Sequence, residues 1–216
     1  MGKHIVEFTK SEEVKYVSHL DIIRMFGRAL RRAGLDISFS KGFNPHPIMN
    51  FAHPMGVGIS SECELIKIGV EGNISSAEFL EKLSPCMPEG FELKNAKETE
   101  SKTPFSELYG AKYVIELTGK VYDVEKILSM PEVITEKKTK SGVKETDIRP
   151  LILDVKVLSQ DEKSAVIEAH IRCGDPNLKP ELFIKVLEDL GIAQTESFKI
   201  HRKSLLNAEG SPLIEF

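Results

Sequence analysis

The chain of 216 residues has little cysteine and no long apolar segment. Its three cysteines, Cys63, Cys86 and Cys173, lie far apart and form no Cys-x-x-Cys pair, which argues against a disulfide framework and an iron–sulfur site. No apolar run approaches the roughly 18–20 residues that cross a bilayer, and the N-terminus lacks the apolar centre of a signal peptide. These absences predict a soluble, cytoplasmic protein that does not bind membranes.

The motifs of several enzyme classes are also missing. Gly56 and Gly58 precede two serines, but the Walker pattern Gly-x4-Gly-Lys-Ser/Thr is absent, which leaves nucleoside triphosphate hydrolysis by that mechanism unsupported. A Gly-x-Ser-x-Gly nucleophile motif is absent as well. The histidines, glutamates and cysteine between positions 19 and 64 lack the tight spacing of structural zinc motifs. We therefore predict no metal site and no cofactor.

The net charge of −4 is unevenly distributed along the chain. Residues 1–60 hold eight Lys and Arg residues against five acidic ones, whereas residues 61–110 hold five Lys against ten Glu. A local basic surface on an acidic protein favours a specific anionic ligand over indiscriminate coating of nucleic acid. The function is therefore expected in the first third of the chain.

Helical and strand periodicities alternate in the same order in both halves of the chain. The predicted helices lie at 18–33, 76–83, 121–130 and 179–190. In the second half, strands at 133–139 and 151–158 are expected to be joined across 140–144. The order predicts an α+β fold of two ferredoxin-like βαββαβ halves with antiparallel sheets. We place these halves at 1–98 and 111–207, with a polar connection between them.

The helix at 18–33 is amphipathic and carries its positive charge on one side. Ser18 is placed to cap its N-terminus, and Gly34 is placed to end it. At about 100° per residue, its arginines lie opposite the apolar arc: Arg24, Arg28, Arg31 and Arg32. Four arginines without a lysine favour bidentate contacts to phosphate or carboxylate. The alternative is a solvated surface in which Asp21 pairs with Arg24 or Arg28.

Two further residues of this helix, Gly27 and His19, are candidates for contact with a neighbour or ligand. Gly27 lies in its middle, where glycine costs roughly 1 kcal/mol relative to alanine, and so predicts the close approach of a neighbour or ligand. His19 falls on the apolar side of the first turn, apart from the arginines. We interpret His19 either as a packed histidine bonded to a loop carbonyl or as an acid–base or ligand group.

The segment 40–47, Ser-Lys-Gly-Phe-Asn-Pro-His-Pro, predicts a stiff loop. Pro45 and Pro47 each fix one φ angle and remove one backbone donor. The loop then holds four side chains in set directions: Lys41, Phe43, Asn44 and His46. Phe43 is expected either to stack on a base while Lys41 meets a phosphate, or to be a core residue of a structural turn.

Two other anion-binding surfaces are hypotheses. Gly56 and Gly58 can bring backbone N–H groups close to an anion, and with His19, Asn44 and His46 they form a candidate pocket. A bulged strand is the alternative at the two glycines. In the second half, basic residues surround the expected hairpin and form either an anion-binding patch or a solvated tip: Lys137, Lys138, Lys140, Lys144 and Arg149.

Two groups of motifs make the chain similar to a known family. The first group lies between 18 and 64: Ser18-His-Leu-Asp21, Arg24, Arg28-Ala-Leu-Arg-Arg-Ala33, the loop 40–47, and Gly58-x-x-Ser61-x-x-Glu64. The second lies in the C-terminal half: Asp147-Ile-Arg-Pro150, Asn177-Leu-Lys-Pro-Glu181 and Arg202-x-x-Leu205. Together they resemble the radical-SAM-linked protein family, a bacterial domain of unknown function, over nearly the whole chain.

This resemblance implies a partner enzyme. Members of the family occur alone or fused to the C-terminus of a radical SAM enzyme, which suggests a radical SAM enzyme or an RNA-processing enzyme as partner. Standalone members lie near ribosomal-protein and ribonuclease genes, which associates them with RNA. This chain has no Cys-x3-Cys-x2-Cys run and so cannot hold the radical SAM cluster itself. Any radical chemistry must therefore come from the partner.

Three functions fit the sequence. The preferred one is an RNA-binding or substrate-presenting accessory protein in tRNA or rRNA modification or processing, without catalysis of its own. The second is a metal-independent endoribonuclease that uses His19 or His46 as acid–base groups. The third is a protein-interaction domain whose arginines dock an acidic partner surface.

Overall fold

The computed structural model describes residues 2–139 and 142–216, with the backbone alone at 137–139, 143 and 144. The chain divides into two compact units. The first ends at Leu108 and also includes Pro212–Phe216, and the second is Tyr109–Ser211. That the ranges 1–98 and 111–207 form independent domains stays a prediction.

The first unit is an antiparallel sheet with two α-helices among its described residues. Its strands are β1 (Gly2–Lys10), β2 (Met49–Phe51), β3 (Ile59–Val70) and β4 (Leu93–Glu98), and its helices are α1 (His19–Arg32) and α2 (Ser76–Leu83). β1 lies between β4 and β3, and β2 pairs with β3. The element order and the antiparallel pairing are those predicted for a βαββαβ half.

Apolar side chains of β1, β3 and the two helices form the core of this unit. Phe8 of β1 meets Phe26 of α1 edge to face, with ring centroids 5.0 Å apart. Leu30 and Ile66 are fully buried in the same cluster. Each such side chain contributes roughly 1.5–3 kcal/mol when buried. Burial of the apolar side of α1 against the sheet therefore turns its opposite side toward solvent.

Residues next to α1 set its two ends, as predicted. Ser18 Oγ accepts a hydrogen bond from the Asp21 N–H at 3.3 Å and so caps the N-terminus. At the other end, Gly34 adopts φ = 66°, a left-handed conformation that suits glycine. The Leu35 N–H then donates to the Leu30 carbonyl at 3.0 Å, which satisfies a carbonyl of the last turn.

The second unit repeats the strand order of the first. Its strands are β5 (Gly110–Val121), β6 (Ile134–Thr139), β7 (Gly142–Asp147), β8 (Ile152–Gln160), β9 (Ser164–Arg172) and β10 (Ala193–Leu206), and its α-helix is α3 (Pro180–Asp189). Four strands pair antiparallel in the order β10-β5-β9-β8. Phe183 and Leu187 of α3 are fully buried. Both halves therefore have the predicted α+β class with antiparallel sheets.

Two local predictions in the second unit are wrong. The segment predicted as a helix at 121–130 contains a 3-10 helix, Val124–Ser129. Strand β5 extends through Val121 and the Tyr122 N–H bonds to the Ile192 carbonyl, so only a short segment remains before Pro131. Strand β6 pairs with β7 and not with β8. Asp147 closes this hairpin, since its Oδ1 accepts hydrogen bonds from the Val133 N–H at 2.8 Å and the Arg149 N–H at 2.9 Å.

Candidate nucleic-acid interface

The outward side of α1 carries four exposed arginines, which form the arginine face: Arg24, Arg28, Arg31 and Arg32. Two of them are engaged within the unit. Arg24 Nη1 donates to Asp21 Oδ1 at 3.0 Å, and Arg32 Nη2 donates to the Cys86 carbonyl. Arg28 and Arg31 make no hydrogen bond or ion pair with any residue that the structure describes. Their guanidinium groups are therefore available to an anion.

Asp21 is held by both Ser18 and Arg24 at the first turn of α1. The Ser18 hydroxyl donates to Asp21 Oδ2 at 2.7 Å. This hydrogen bond, followed by the one from Arg24, lowers the pKa of the Asp21 carboxyl below its ordinary value. The ion pair of the alternative interpretation is thus present between Asp21 and Arg24. The charge of Arg28 also lowers the pKa of Asp21, but Arg28 and Arg31 form no ion pair with a described residue.

Gly27 is buried in α1, yet space remains beside it. Outside its own stretch of helix, no described atom lies within 4 Å of the position that an added Cβ would take. The predicted close approach of a neighbouring element is therefore absent from the described residues. That a ligand approaches Gly27 stays a prediction.

Hydrogen bonds close the loop 40–47 at its base. The Ser40 N–H donates to the His46 carbonyl at 2.9 Å, and the His46 N–H donates to Ser40 Oγ at 3.1 Å. A further hydrogen bond of 2.8 Å joins Ser40 Oγ to His46 Nδ1. Phe39 and Pro47 form a β-bridge next to this closure, so the loop is tied at both of its ends.

Phe43 lies in this closed loop and is 111% exposed. The interpretation of Phe43 as a core residue is therefore wrong, because the closure and the two prolines hold its ring out of the interior. Lys41 and Asn44 are exposed on either side of it. An aromatic ring, an amine and an amide are groups that can stack on a base, meet a phosphate and hydrogen-bond a base edge. That they bind a ligand stays a prediction.

His19 packs against an aromatic cluster at the start of α1. Its ring meets Phe51 of β2 edge to face, with centroids 4.7 Å apart, and Phe51 faces Phe26 at 6.2 Å. Burial lowers the pKa of this half-buried imidazole below its ordinary value of 6.5. Burial thus favours the neutral form of His19, a form that suits both a packed ring and a general base.

The two predicted acid–base groups have different partners. His19 contacts Phe51, whereas the exposed His46 is bonded to Ser40. The bond to Ser40 gives His46 a structural task, since it helps to close the loop. A catalytic role for either histidine stays a prediction, as does the candidate pocket that joins them with Asn44.

The two glycines of that candidate pocket differ in their surroundings. The Gly58 N–H donates to the Lys15 carbonyl at 2.9 Å, so this backbone donor is already engaged. Gly58 also has φ = 90°, a conformation that other residues rarely adopt. Gly56 is exposed. An anion at this segment would therefore meet Gly56 rather than the amide of Gly58.

The sequence did not predict the role of Lys10, whose ammonium group binds the turn that precedes α1. Lys10 is fully buried, and its Nζ donates to the carbonyls of Lys15 at 2.7 Å and Val17 at 3.1 Å. These bonds hold the turn that contains Tyr16, whose side chain is 70% exposed. Lys15 Nζ lies 5.2 Å from the centroid of the Tyr16 ring. The one signal in the sequence is the alternation of β1, which places Lys10 on the buried side with Phe8.

Arg149 is not available as part of a basic patch. Its Nη1 donates to the Ile152 carbonyl at 2.8 Å and its Nη2 to the Leu128 carbonyl at 2.6 Å. The half-buried guanidinium thus joins two turns of the second unit. Lys140 lies outside the described residues, and so do the side chains of Lys137, Lys138 and Lys144.

Among the described residues, no group of three or more histidines, cysteines, aspartates and glutamates could hold a metal ion. No helix within 2–139 and 142–216 is long and apolar enough to cross a membrane. The first unit presents instead the arginine face, the loop 40–47 and the exposed Tyr16.

Solved structures match the chain in fold at low sequence identity. A chain in the crystal structure of a Cbf5-Nop10-Gar1 complex has a TM-score of 0.54 at 11% identity, over 94% of this chain and 48% of that chain. A chain of the archaeal box H/ACA sRNP Nop10-Cbf5 complex has a TM-score of 0.47 at 9% identity, over 92% of this chain and 46% of that chain. This chain thus spans about half the length of each of these two solved chains. At 11% identity, the likeness to the first of them concerns the fold alone.

No curated protein matches the chain in sequence. One family model does match, over residues 3–180, a range that includes α1, the loop 40–47 and strands β5 to β9. The chain belongs to that family, which is described as "Uncharacterized protein conserved in bacteria (DUF2344)".

Proposed function

We propose that this protein binds RNA through the arginine face of α1, as an accessory to an enzyme that modifies or processes tRNA or rRNA. One observation carries the proposal. Arg28 and Arg31 are exposed and form no hydrogen bond or ion pair with a described residue, beside Arg24, on a helix whose other side is buried. The described carboxylates do not balance the charge of these arginines, so the row can bind a polyanion.

The chemistry of arginine supports phosphate as the group that is bound. A planar guanidinium donates two parallel hydrogen bonds to a phosphate, which a lysine cannot do. From Arg24 to Arg31 the arginine face extends about 10 Å along the helix, at 1.5 Å per residue. A nucleic-acid strand carries one negative charge at each nucleotide. More than one phosphate therefore comes within reach of the arginine face.

The fold adds a general argument of lower weight. Both units pair four strands antiparallel, and four-stranded sheets occur in common RNA-binding domains. Such an analogy supports a class of ligand without naming one. The excess of positive charge in residues 1–60 of an acidic chain points to the first unit as the part that contacts RNA.

We infer that the partner is a radical SAM enzyme. This inference rests on the motifs between 18 and 64 and on those of the C-terminal half, which resemble the radical-SAM-linked family. A tagged protein is purified from cells with and without ribonuclease treatment, and the captured proteins are identified. A radical SAM enzyme retained after ribonuclease treatment supports direct partnership, and its absence under both conditions contradicts it.

RNA binding is tested by fluorescence anisotropy with end-labelled bulk tRNA and rRNA fragments over a range of salt concentrations. The triple variant Arg24→Gln/Arg28→Gln/Arg31→Gln removes the charge of three exposed side chains. We expect its salt slope to fall by about two to three units, since each lost phosphate contact accounts for roughly one. Its affinity for all the RNA probes is expected to fall together.

A matched control removes three positive charges from the second unit. The variant Lys156→Gln/Lys185→Gln/Lys199→Gln changes exposed lysines, each of which pairs with a carboxylate. We expect it to bind RNA as the wild type does. Equal loss in both triple variants would show that net charge alone matters, and no loss in the arginine variant would exclude the arginine face; either result contradicts the proposal.

A further inference from the structure

Two aromatic side chains of the first unit are exposed. One lies in a loop closed by hydrogen bonds, and the other lies in a turn bonded to a buried lysine. Phe43 is fully exposed in the loop 40–47, which Ser40 and His46 close at its base. Tyr16 is 70% exposed in the turn that the buried Lys10 holds. Neither ring belongs to the core, so each can offer a face to a ligand.

The two rings stand at opposite ends of β3. The Gly58 N–H, directly before β3, bonds to the residue that precedes Tyr16 and so places this ring at the start of the strand. The Ser38 N–H donates to the Gly69 carbonyl at 2.9 Å, which fixes the loop 40–47 near the end of the strand. At about 3.3 Å per residue, the 12 residues of β3 extend about 40 Å.

Helix α1 joins these two ends. It begins shortly after the turn that contains Tyr16, and the chain that leaves it reaches the loop 40–47 through Ile37, which pairs with Val70. The arginine face therefore extends from the end that carries Tyr16 toward the end that carries Phe43. Along this direction the order is Tyr16, the arginine face and Phe43.

We propose that the ligand of this surface is a single strand of RNA, whose phosphates contact Arg28 and Arg31 and whose unpaired bases stack on Tyr16 and Phe43. This inference rests on the proposed function and names its substrate class. A duplex cannot use the two rings, because neighbouring pairs cover both faces of each of its bases. Lys41, two residues before Phe43, supplies a further exposed cation for a phosphate at that end.

Charge favours an RNA strand over a protein segment at this surface. Arg28, Arg31 and Lys41 form no ion pair with a described carboxylate, so the chain between the two rings carries an excess of exposed positive charge. An apolar segment docked on the rings would cover these charges without pairing them, which costs free energy. The bases of an RNA strand can stack on the rings while its phosphates pair with the cations.

The test measures binding of a labelled RNA of about 12 nucleotides without self-complementarity, a length within the usual site size. The same RNA annealed to its complement is the duplex probe. We expect the wild type to bind the single strand more tightly than the duplex. Phe43→Ala and Tyr16→Ala should each weaken single-strand binding by about 5- to 150-fold, the range measured for lost stacking, and leave duplex binding unchanged.

Two aromatic residues of the second unit provide matched controls. Tyr122→Ala and Phe198→Ala also remove exposed rings, and we expect both variants to bind the single strand as the wild type does. Thermal unfolding of all four variants checks that the fold is intact, as expected for exposed positions.

Two substitutions separate stacking from plain apolar contact. Phe43→Trp keeps a π-face and should bind the single strand as tightly as the wild type or more so. Phe43→Leu keeps apolar area without a π-face and should behave like Phe43→Ala. Equal binding by Phe43→Leu and the wild type would contradict stacking.

The outcomes distinguish the two proposals. If the arginine variant loses affinity while single strand and duplex bind equally and Phe43→Ala has no effect, this inference fails and the proposed function stands. If the wild type binds neither probe and the arginine variant changes nothing, the proposed function fails and this inference fails with it. Loss of single-strand binding in both aromatic variants, with the second-unit controls unchanged, supports this inference.

Discussion

Lys10 lies fully buried at the end of β1, and its ammonium group holds the chain that leads into α1. A buried ammonium without hydrogen bonds would cost several kcal/mol. Both of the carbonyls that it reaches belong to the turn around Tyr16. Lys10 is therefore a positioning residue that fixes Tyr16 and the start of α1.

Replacing Lys10 with Met keeps an unbranched side chain and removes the donor to Lys15 and Val17. We expect the free energy of unfolding to fall by about 1–3 kcal/mol, because the bonded carbonyls lose their partner. Urea titration measures this change. Lys94→Met on β4 alters an exposed lysine and should change little. If both variants have wild-type stability, the structural role of Lys10 is refuted.

His4 is a second buried polar side chain of β1. Its ring stacks on Phe79 with centroids 4.6 Å apart, and its Nδ1 lies 3.2 Å from Ser76 Oγ. Its Nε2 has no hydrogen-bond partner among the described residues. Burial lowers the pKa of His4 below 6.5, against a smaller opposing effect of Glu98. The unfolded chain therefore takes up the proton more readily than the fold does.

The lowered pKa of His4 gives stability a pH dependence of defined sign. The contribution of the neutral ring is complete above the unfolded pKa of about 6.5 and is lost as the pH falls through that value toward the folded pKa. We expect urea titrations to show a smaller decrease in stability from about pH 7.5 to about pH 5.5 for His4→Phe than for the wild type. His19 and His170, whose pKa values are also lowered, titrate in both proteins. Identical decreases would rule out this role of His4.

At the scale of the element, α1 has one glycine in its interior and one just past its end. Gly27 has open space at the position of a Cβ, whereas Gly34 has φ = 66°. The same substitution therefore has opposite expected effects at the two positions.

Gly27→Ala should raise the free energy of unfolding by up to about 1 kcal/mol, since alanine favours the helix and meets no neighbour. Gly34→Ala should lower it by about 1 kcal/mol, because alanine is strained in a left-handed conformation. Urea titrations of the two variants measure both changes. Effects of the same sign would contradict this account of α1.

The ends of α1 could be predicted because their signals are local. Ser18 caps the helix within one turn, and Gly34 ends it. The hairpin of β6 and β7 could not be predicted in this way. It is closed by Asp147 through the Val133 N–H, a partner on another segment that no short window of sequence contains.

Part of the candidate site could likewise be predicted from local sequence, and part could not. The arginine face follows from helical periodicity alone. The exposure of Phe43 depends on the closure of its loop by Ser40 and His46, and that of Tyr16 depends on the buried Lys10. Both contacts join residues several positions apart, so neither exposure could be read from the composition of the segment.

At the scale of the whole molecule, positive charge is concentrated in one part of an acidic chain. Residues 1–60 carry the excess of Lys and Arg, and the net charge is −4. Such a distribution limits nonspecific binding, because most of the surface repels a polyanion. A specific RNA held by one local surface is therefore more consistent with the charge than a protein that coats nucleic acid.

Photo-crosslinking tests the central claim, that the first unit binds single-stranded RNA through this surface, most directly. An RNA of about 12 nucleotides that carries 4-thiouridine is irradiated with the wild-type protein, and the crosslinked peptides are identified by mass spectrometry. We expect crosslinks within residues 11–64, at the peptides that contain Tyr16 and Phe43, and their loss in the arginine variant. Crosslinks confined to residues 109–211, or none at all, would contradict the account.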